Sequence, residues 1–185
     1  MWHEIVQRLR FFSLLHQLDE ELSQKSRQSR CPYCGGPLHQ SNYQRKPRGV
    51  SETVPEEYLL RFSNCCGRPE CRCRVLPPSV KFLGRRIYWG GIILVAMALR
   101  QQRPNGWTAR KVMLALKIPE KTLSRWAQYW REIFPESPRW KELRGKVIAA
   151  VQDTELPGAL LDYFLEDNAP EEEALVGCLR FLATG

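Results

Sequence analysis

Residues 87–99, IYWGGIILVAMAL, are the stretch that decides the fold of this 185-residue chain. These 13 residues span roughly 20 Å at a helical rise of about 1.5 Å each, whereas a bilayer core is about 30 Å thick. The run therefore predicts a buried core helix and no membrane span. The chain as a whole is 43% hydrophobic and has six tryptophans, which excludes a wholly disordered protein.

Two more helices are predicted directly after this run. Helical periodicity covers residues 87–102, 108–116 and 119–134, and the breaks RPNG and KIP separate the three segments. The buried face of the last helix is predicted to carry Leu123, Trp126 and Trp130. Three such helices are typical of a helix-turn-helix unit, whose last helix enters the major groove of DNA.

Side chains that can contact DNA lie on the opposite face of the last helix. This predicted recognition set consists of Lys121, Thr122, Ser124, Arg125 and Gln128. Further basic residues are predicted to hold phosphates without reading sequence: Arg45, Lys46, Arg48, Arg85, Arg86, Arg110 and Lys111. The first three lie in a segment, residues 43–49, that we expect to be a mobile loop. Interleaved aromatic residues such as Tyr43 and Tyr88 make RNA the second candidate ligand.

Charge is distributed unevenly along the chain, which has a formal net charge of +8. Residues 1–73 carry 11 basic and 8 acidic side chains, residues 74–146 carry 16 and 4, and residues 147–185 carry 1 and 8. The strongly basic middle segment indicates an anionic partner such as nucleic acid. The acidic last segment indicates a different role.

Six of the seven cysteines lie between positions 31 and 73. The motif Cys31-Pro-Tyr-Cys34-Gly-Gly has the form of a zinc knuckle, in which one tight turn carries two thiolates. The second pair of ligands is expected about 30 residues later, at Cys66 and Cys71, with a hairpin between the knuckles as in a zinc ribbon. This predicts one structural zinc ion and a reducing compartment, the cytoplasm.

Alternatives remain open within this cysteine cluster. Cys65 or Cys73 could replace either ligand of the second pair, and His39 could replace a cysteine. The seventh cysteine, Cys178, lies on an apolar stripe and is expected to belong to the core.

The overall expectation is a mainly α protein with a small β zinc ribbon. Residues 1–30 would form an amphipathic helix, over about residues 2–24, and a polar linker, SQKSRQSR. Residues 31–84 would form the ribbon, residues 85–146 the helix-turn-helix domain, and residues 147–185 a short acidic helical tail with helices over about residues 156–165 and 170–181. The tail would lie across the basic surface or recruit a partner protein.

The pairing of the CPYCGG knuckle with the helical trio resembles small transposase-associated proteins of bacterial mobile elements. The segment over residues 108–126 resembles the helix-turn-helix of many bacterial DNA-binding proteins, and the resemblance covers about residues 31–134. It implies site-specific DNA binding, with zinc on Cys31, Cys34 and two later cysteines. The sequence departs from the pattern at Lys117, where such motifs often carry glycine.

We therefore expect a zinc-stabilised protein that binds double-stranded DNA as an accessory or targeting component of a mobile element. Catalysis is not expected, because the acids of the tail lack the strands that an acidic triad needs and the three histidines form no recognisable catalytic arrangement. A transposase or recombinase would be the protein partner, bound through the acidic tail. The alternatives are an adaptor subunit of a DNA or RNA complex, or a transcriptional regulator.

Overall fold

The computed structural model describes residues 2–49, 54–83, 88–101, 108–147, 151–165 and 170–185. Over these residues the chain is mostly helical and contains two small antiparallel sheets, as the mainly α expectation required. No helix among them combines the length and the hydropathy that a membrane crossing needs.

The N-terminal segment forms two helices, α1 (Trp2–Ile5) and α2 (Leu9–Gln28). The prediction of one helix over residues 2–24 was wrong at both ends, because the extended backbone of Arg8 (φ −84°, ψ 134°) breaks it and α2 continues through the predicted linker. The buried face of α2 runs from Phe11 and Phe12 to the polar residues Asp19 and Ser23. Because Asp19 and Ser23 are polar, the spacing of apolar residues could not predict that this part of the helix face is buried.

The cysteine-containing segment forms two small antiparallel sheets. In the first, β1 (Leu38–Gln40) pairs with β4 (Asn64–Cys66), which also pairs with β5 (Arg74–Val75). In the second, β2 (Tyr43–Gln44) pairs with β3 (Leu60–Arg61), which follows a 3-10 turn (Glu56–Leu59). The chain therefore runs out along β1 and β2 and returns along β3 and β4, which brings its two groups of cysteines to the same end.

Three helices follow, α3 (Gly90–Gln101), α4 (Ala109–Leu116) and α5 (Glu120–Gln128), and a π-helical turn (Tyr129–Ile133) continues α5. Every residue of α3 from Gly90 to Leu99 is buried, which confirms the predicted core helix. Because no face of α3 meets water, the other helices must surround it.

The last quarter of the chain forms α6 (Pro138–Leu143), α7 (Gly158–Leu165) and α8 (Glu171–Thr184). The apolar stripes of α7 and α8 are buried in the same core cluster as α3, and both helices contact α3. Gln101 at the end of α3 donates a hydrogen bond to the Leu156 carbonyl (2.6 Å) and accepts one from the Gly158 N–H (2.7 Å). The apolar faces of the predicted tail are thus occupied within the fold.

The part of the cysteine-containing segment around the thiols has a separate and much smaller core. It consists of Cys31, Leu38 and Cys66, with Cys34, Cys71 and Val75 packed around them. Two aliphatic side chains among four thiols are too few to stabilise a fold by apolar burial alone. The arrangement of the thiols therefore decides what holds this segment together.

Candidate metal centre and nucleic-acid interface

The first pair of cysteines lies on a tight turn between α2 and β1. The Cys31 N–H donates to the Gly36 carbonyl at 2.9 Å, and the Gly35 N–H donates to the Cys31 carbonyl at 2.8 Å. Gly35 has φ +66°, a conformation that glycine adopts without the steric cost of a Cβ. The turn brings Cys34 back beside Cys31.

The second pair lies at the end of β4 and in the turn that follows it. Cys66 is the last residue of β4, and the Cys71 N–H donates to the Arg68 carbonyl at 3.1 Å as the chain folds back. The Arg68 side chain reaches across to the first turn, where its Nη1 donates to the Cys34 carbonyl at 2.9 Å. Arg68 thus joins the two turns that carry the four thiols.

The four thiols form a compact group. Cys31 Sγ lies 3.8 Å from Cys71 Sγ, Cys34 Sγ lies 3.4 Å from Cys66 Sγ, and all four sulfurs lie within 4.8 Å of one another. A tetrahedral ion with metal–sulfur distances of about 2.3 Å separates its sulfurs by about 3.8 Å. The group could therefore hold a metal ion with little movement, and it consists of the four cysteines that we predicted.

The remaining candidates from the sequence lie outside this group. In the sheet register Leu38 stands opposite Cys66, whereas His39 stands opposite Cys65. Because successive side chains of a strand point to opposite faces, a strand that turns Cys66 toward the thiol group turns Cys65 away from it. The Cys65 thiol instead donates to the Arg72 carbonyl at 3.4 Å.

His39 and Cys178 also have other surroundings. The His39 ring lies over Gly67, where an added Cβ would come within 2.5 Å of Nε2. Cys178 is fully buried in α8, and burial raises the pKa of its thiol. This is the core position that the apolar stripe predicted.

The acidities of two thiols in the group differ sharply. Burial favours the neutral form of Cys31, but the backbone N–H groups of Tyr33 and Cys34 and the neighbouring thiols outweigh it and lower the pKa of Cys31 to about 7. At Cys66 the backbone N–H of Arg68 favours the thiolate, yet burial and the other three thiols raise the pKa to about 12. A cation bound among the thiols would therefore displace protons as it binds.

The predicted recognition helix, α5, follows a turn at Lys117, whose backbone is left-handed (φ 50°, ψ 45°). Leu123, Trp126 and Trp130 are buried as predicted. On the opposite face Lys121, Ser124, Arg125 and Gln128 are exposed and Thr122 is half-buried. Of these, Gln128 is already engaged within the chain, because its Nε2 donates to Glu132 Oε2 at 3.0 Å.

The other predicted phosphate contacts have different environments. Arg110 and Lys111 are exposed in the first turn of α4, where the Thr108 hydroxyl caps the helix by accepting from the Lys111 N–H at 3.2 Å. Lys46 and Arg48 are also exposed, whereas the half-buried Arg45 places its guanidinium over the Phe82 ring, 5.2 Å from the centroid. Arg85 and Arg86 lie outside the described residues.

Comparison with known proteins assigns no family to this arrangement of thiols and basic helices. No protein-family model, no curated protein and no solved structure matches the chain.

Proposed function

We propose that the chain is a zinc-stabilised protein that binds double-stranded DNA. Zinc would be held by Cys31, Cys34, Cys66 and Cys71, and α4 and α5 would act as a helix-turn-helix. The observation that carries the DNA proposal is the face of α5, where exposed basic and polar side chains stand opposite a row of buried aromatic and aliphatic ones.

Zinc is the ion that best suits the thiol group. Four thiolates at tetrahedral spacing favour Zn²⁺, and a site filled by four protein ligands leaves no position for a catalytic water. The ion would therefore stabilise the ribbon without performing chemistry. Structural zinc contributes roughly 10–16 kcal/mol in small units of this kind, which would offset the scarcity of apolar residues in the ribbon core. Reduced thiols are required, so we place the protein in the cytoplasm.

The α5 face supports DNA as the ligand. Lys121 and Arg125 are long, exposed and cationic, and an arginine can donate two hydrogen bonds to one guanine in the major groove. Arg110 and Lys111 at the start of α4 would contact phosphates beside the groove. The segment from residue 74 to residue 146, which contains all three helices, carries 16 basic and 4 acidic residues. Such a charge excess favours a polyanion.

The wider role that we propose is an accessory or targeting component of a bacterial mobile element, without catalytic activity of its own. A transposase or recombinase would supply the chemistry. Since the apolar stripes of the tail are occupied in the core, its partner would have to be bound by exposed acids such as Glu171 and Glu173 at the start of α8. An adaptor or regulator role would use the same DNA or RNA contacts.

The test is selection of bound duplexes from a random DNA pool at about 50 mM and about 150 mM salt. Specific recognition survives the higher salt better than phosphate contacts alone do. We expect an enriched motif that is lost in the double variant Lys121→Ala/Arg125→Ala and retained in Lys25→Ala, which removes an exposed charge from α2. Binding that enriches no motif and disappears at the higher salt would contradict the proposal and favour an adaptor. If the protein binds RNA more tightly than duplex DNA, RNA would be its ligand and the DNA proposal would be wrong.

A further inference from the structure

The basic loop, residues 45–49, is fixed against the helical core at its end. Arg48 forms a parallel backbone bridge with Tyr88, just before α3. Gly49 has φ +94°, and a Cβ added there would come within 2.9 Å of Ile92 Cγ2 and 3.2 Å of Tyr88 Cδ1. Only glycine suits this backbone and this close approach. The expectation that residues 43–49 form a mobile loop therefore fails at this end, and it also fails at the other end, where Tyr43 and Gln44 form β2.

The residue that holds the loop also contacts α5. The Tyr88 ring meets the Trp126 ring edge to face, with centroids 4.9 Å apart and planes at 89°. Leu123, one turn earlier on α5, instead lines a cleft with Arg100 at the other end of α3. The end of the loop is therefore joined to α5 through one side chain, Tyr88, which lies beside Gly49 and packs against Trp126.

Loop and helix present the same sign of charge to solvent. Lys46 and Arg48 on the loop and Lys121 and Arg125 on α5 are all exposed. Arg45 is the loop residue that turns inward, where its guanidinium lies over an aromatic ring. No acidic residue occurs from position 22 to position 51, so the loop carries no acid of its own.

We propose that the basic loop is a second DNA-contacting element, and that Lys46 and Arg48 bind backbone phosphates of the same duplex whose major groove receives α5. This rests on the proposed function of α5. A helix in the major groove has a phosphate backbone along each edge, and a cationic loop joined to that helix through Tyr88 would contact one of those backbones. The contact sets affinity and orientation, whereas α5 determines the base sequence.

The experiment measures duplex affinity against salt concentration, using the motif selected by the wild-type protein. Each lost phosphate contact lowers the steepness of the plot of log K against log [salt] by about 1. The variant Lys46→Ala/Arg48→Ala is expected to bind more weakly, with a slope shallower by about 2, and to select the same motif. Zinc content and circular dichroism establish that each variant is folded.

Two further variants distinguish an effect of the loop's position from an effect of the protein's total charge. Lys25→Ala/Lys146→Ala removes two exposed lysines from other elements and is expected to leave the slope within about 0.5 of wild type. Gly49→Ala keeps every charge but adds a Cβ toward Ile92, which displaces the end of the loop. This variant is expected to bind the duplex more weakly than wild type and to give a shallower slope of log K against log [salt].

The outcomes distinguish this inference from the proposed function. If Lys46→Ala/Arg48→Ala keeps the wild-type slope while Lys121→Ala/Arg125→Ala loses the motif, the loop proposal fails and the function of α5 stands. An equal loss of slope in the control pair, or a changed motif in the loop variant, would also overturn the loop proposal, since the effect would then come from general charge or from base reading. If the wild-type protein binds no duplex, the proposed function itself fails.

Discussion

The buried carboxylate of Asp19 on α2 accepts a hydrogen bond from the Ser79 hydroxyl at 2.5 Å. A second one comes from the backbone N–H of Val80 at 2.6 Å. The next residue, Lys81, is fully buried, and its Nζ donates to the carbonyls of Tyr58 and Leu60 at 3.3 and 3.0 Å. These contacts join α2, the segment that forms β3, and the stretch that leads into α3. Polar groups therefore attach the strands of the cysteine-containing segment to the helical core.

Replacing Asp19 with alanine is expected to reduce the free energy of unfolding by about 3 kcal/mol or more. The change leaves the Val80 N–H without its acceptor and removes a negative charge that stabilises the buried cations Lys81 and Arg61. Urea unfolding measures the loss. Glu21→Ala, an exposed change on the same helix, is the control and should cost no more than about 0.5 kcal/mol. Equal losses in the two variants would show that the buried network contributes nothing.

The contribution of Lys81 to stability is expected to rise with pH between about 8 and 10.5. Burial lowers the pKa of Lys81 from 10.5 to about 8, aided by Arg61 and opposed by Asp19. Within this window Lys81 binds more protons in the unfolded chain than in the folded one, so its contribution to the free energy of unfolding increases with pH, by up to about 3 kcal/mol. The pKa of Asp19 is raised from 3.8 and that of His16 is lowered from 6.5, so neither accounts for a rise in the alkaline range.

The measurement is urea unfolding of wild type and Lys81→Met at pH 8 and pH 10. The variant lacks the titrating amine and should lose this part of the pH dependence, while the thiols titrate alike in both proteins. A difference between the two proteins that does not change with pH would contradict the prediction.

The sequence allowed the main elements to be predicted where hydrophobic spacing and turn residues agree. Thirteen apolar or small residues in a row identified α3, and the spacing of Leu123, Trp126 and Trp130 identified the buried face of α5. It could not reveal the buried face of α2 beyond Leu15, because Asp19 and Ser23 are polar. Nor did charge show that the acidic tail belongs to the core, since its acids and its buried leucines lie on different faces of the same helices.

At the site, the sequence favoured Cys66 but left Cys65 open as its replacement. The alternation of side chains along β4 separates them, because the register that pairs Cys66 with Leu38 pairs Cys65 with His39. A sequence argument would have needed the strand register to exclude Cys65. The inward turn of Arg45 over Phe82 is likewise a tertiary contact that no local pattern encodes.

Cys66→Ser and Cys65→Ser are a matched pair for the metal site, since they make the same chemical change at adjacent positions. Cys66→Ser is expected to lose most of its zinc and to unfold the ribbon, because Cys66 Sγ lies 3.4 Å from Cys34 Sγ within the thiol group. Cys65→Ser should keep one zinc per chain. Metal analysis after dialysis and a chromogenic chelator assay give the stoichiometry. Full zinc in Cys66→Ser, or equal loss in both variants, would contradict the ligand assignment.

Lys117→Gly is expected to stabilise the protein. Lys117 ends α4 in the left-handed conformation, which costs a residue with a Cβ roughly 1 kcal/mol or more, whereas glycine adopts it freely. Glycine also makes the unfolded chain more flexible, so the net gain should be about 0.5–1 kcal/mol. Lys117→Ala removes the same charge but keeps the Cβ, and it should show no gain. Thermal and urea unfolding of the two variants isolate the backbone effect, and equal stabilities would show that the turn is not left-handed in solution.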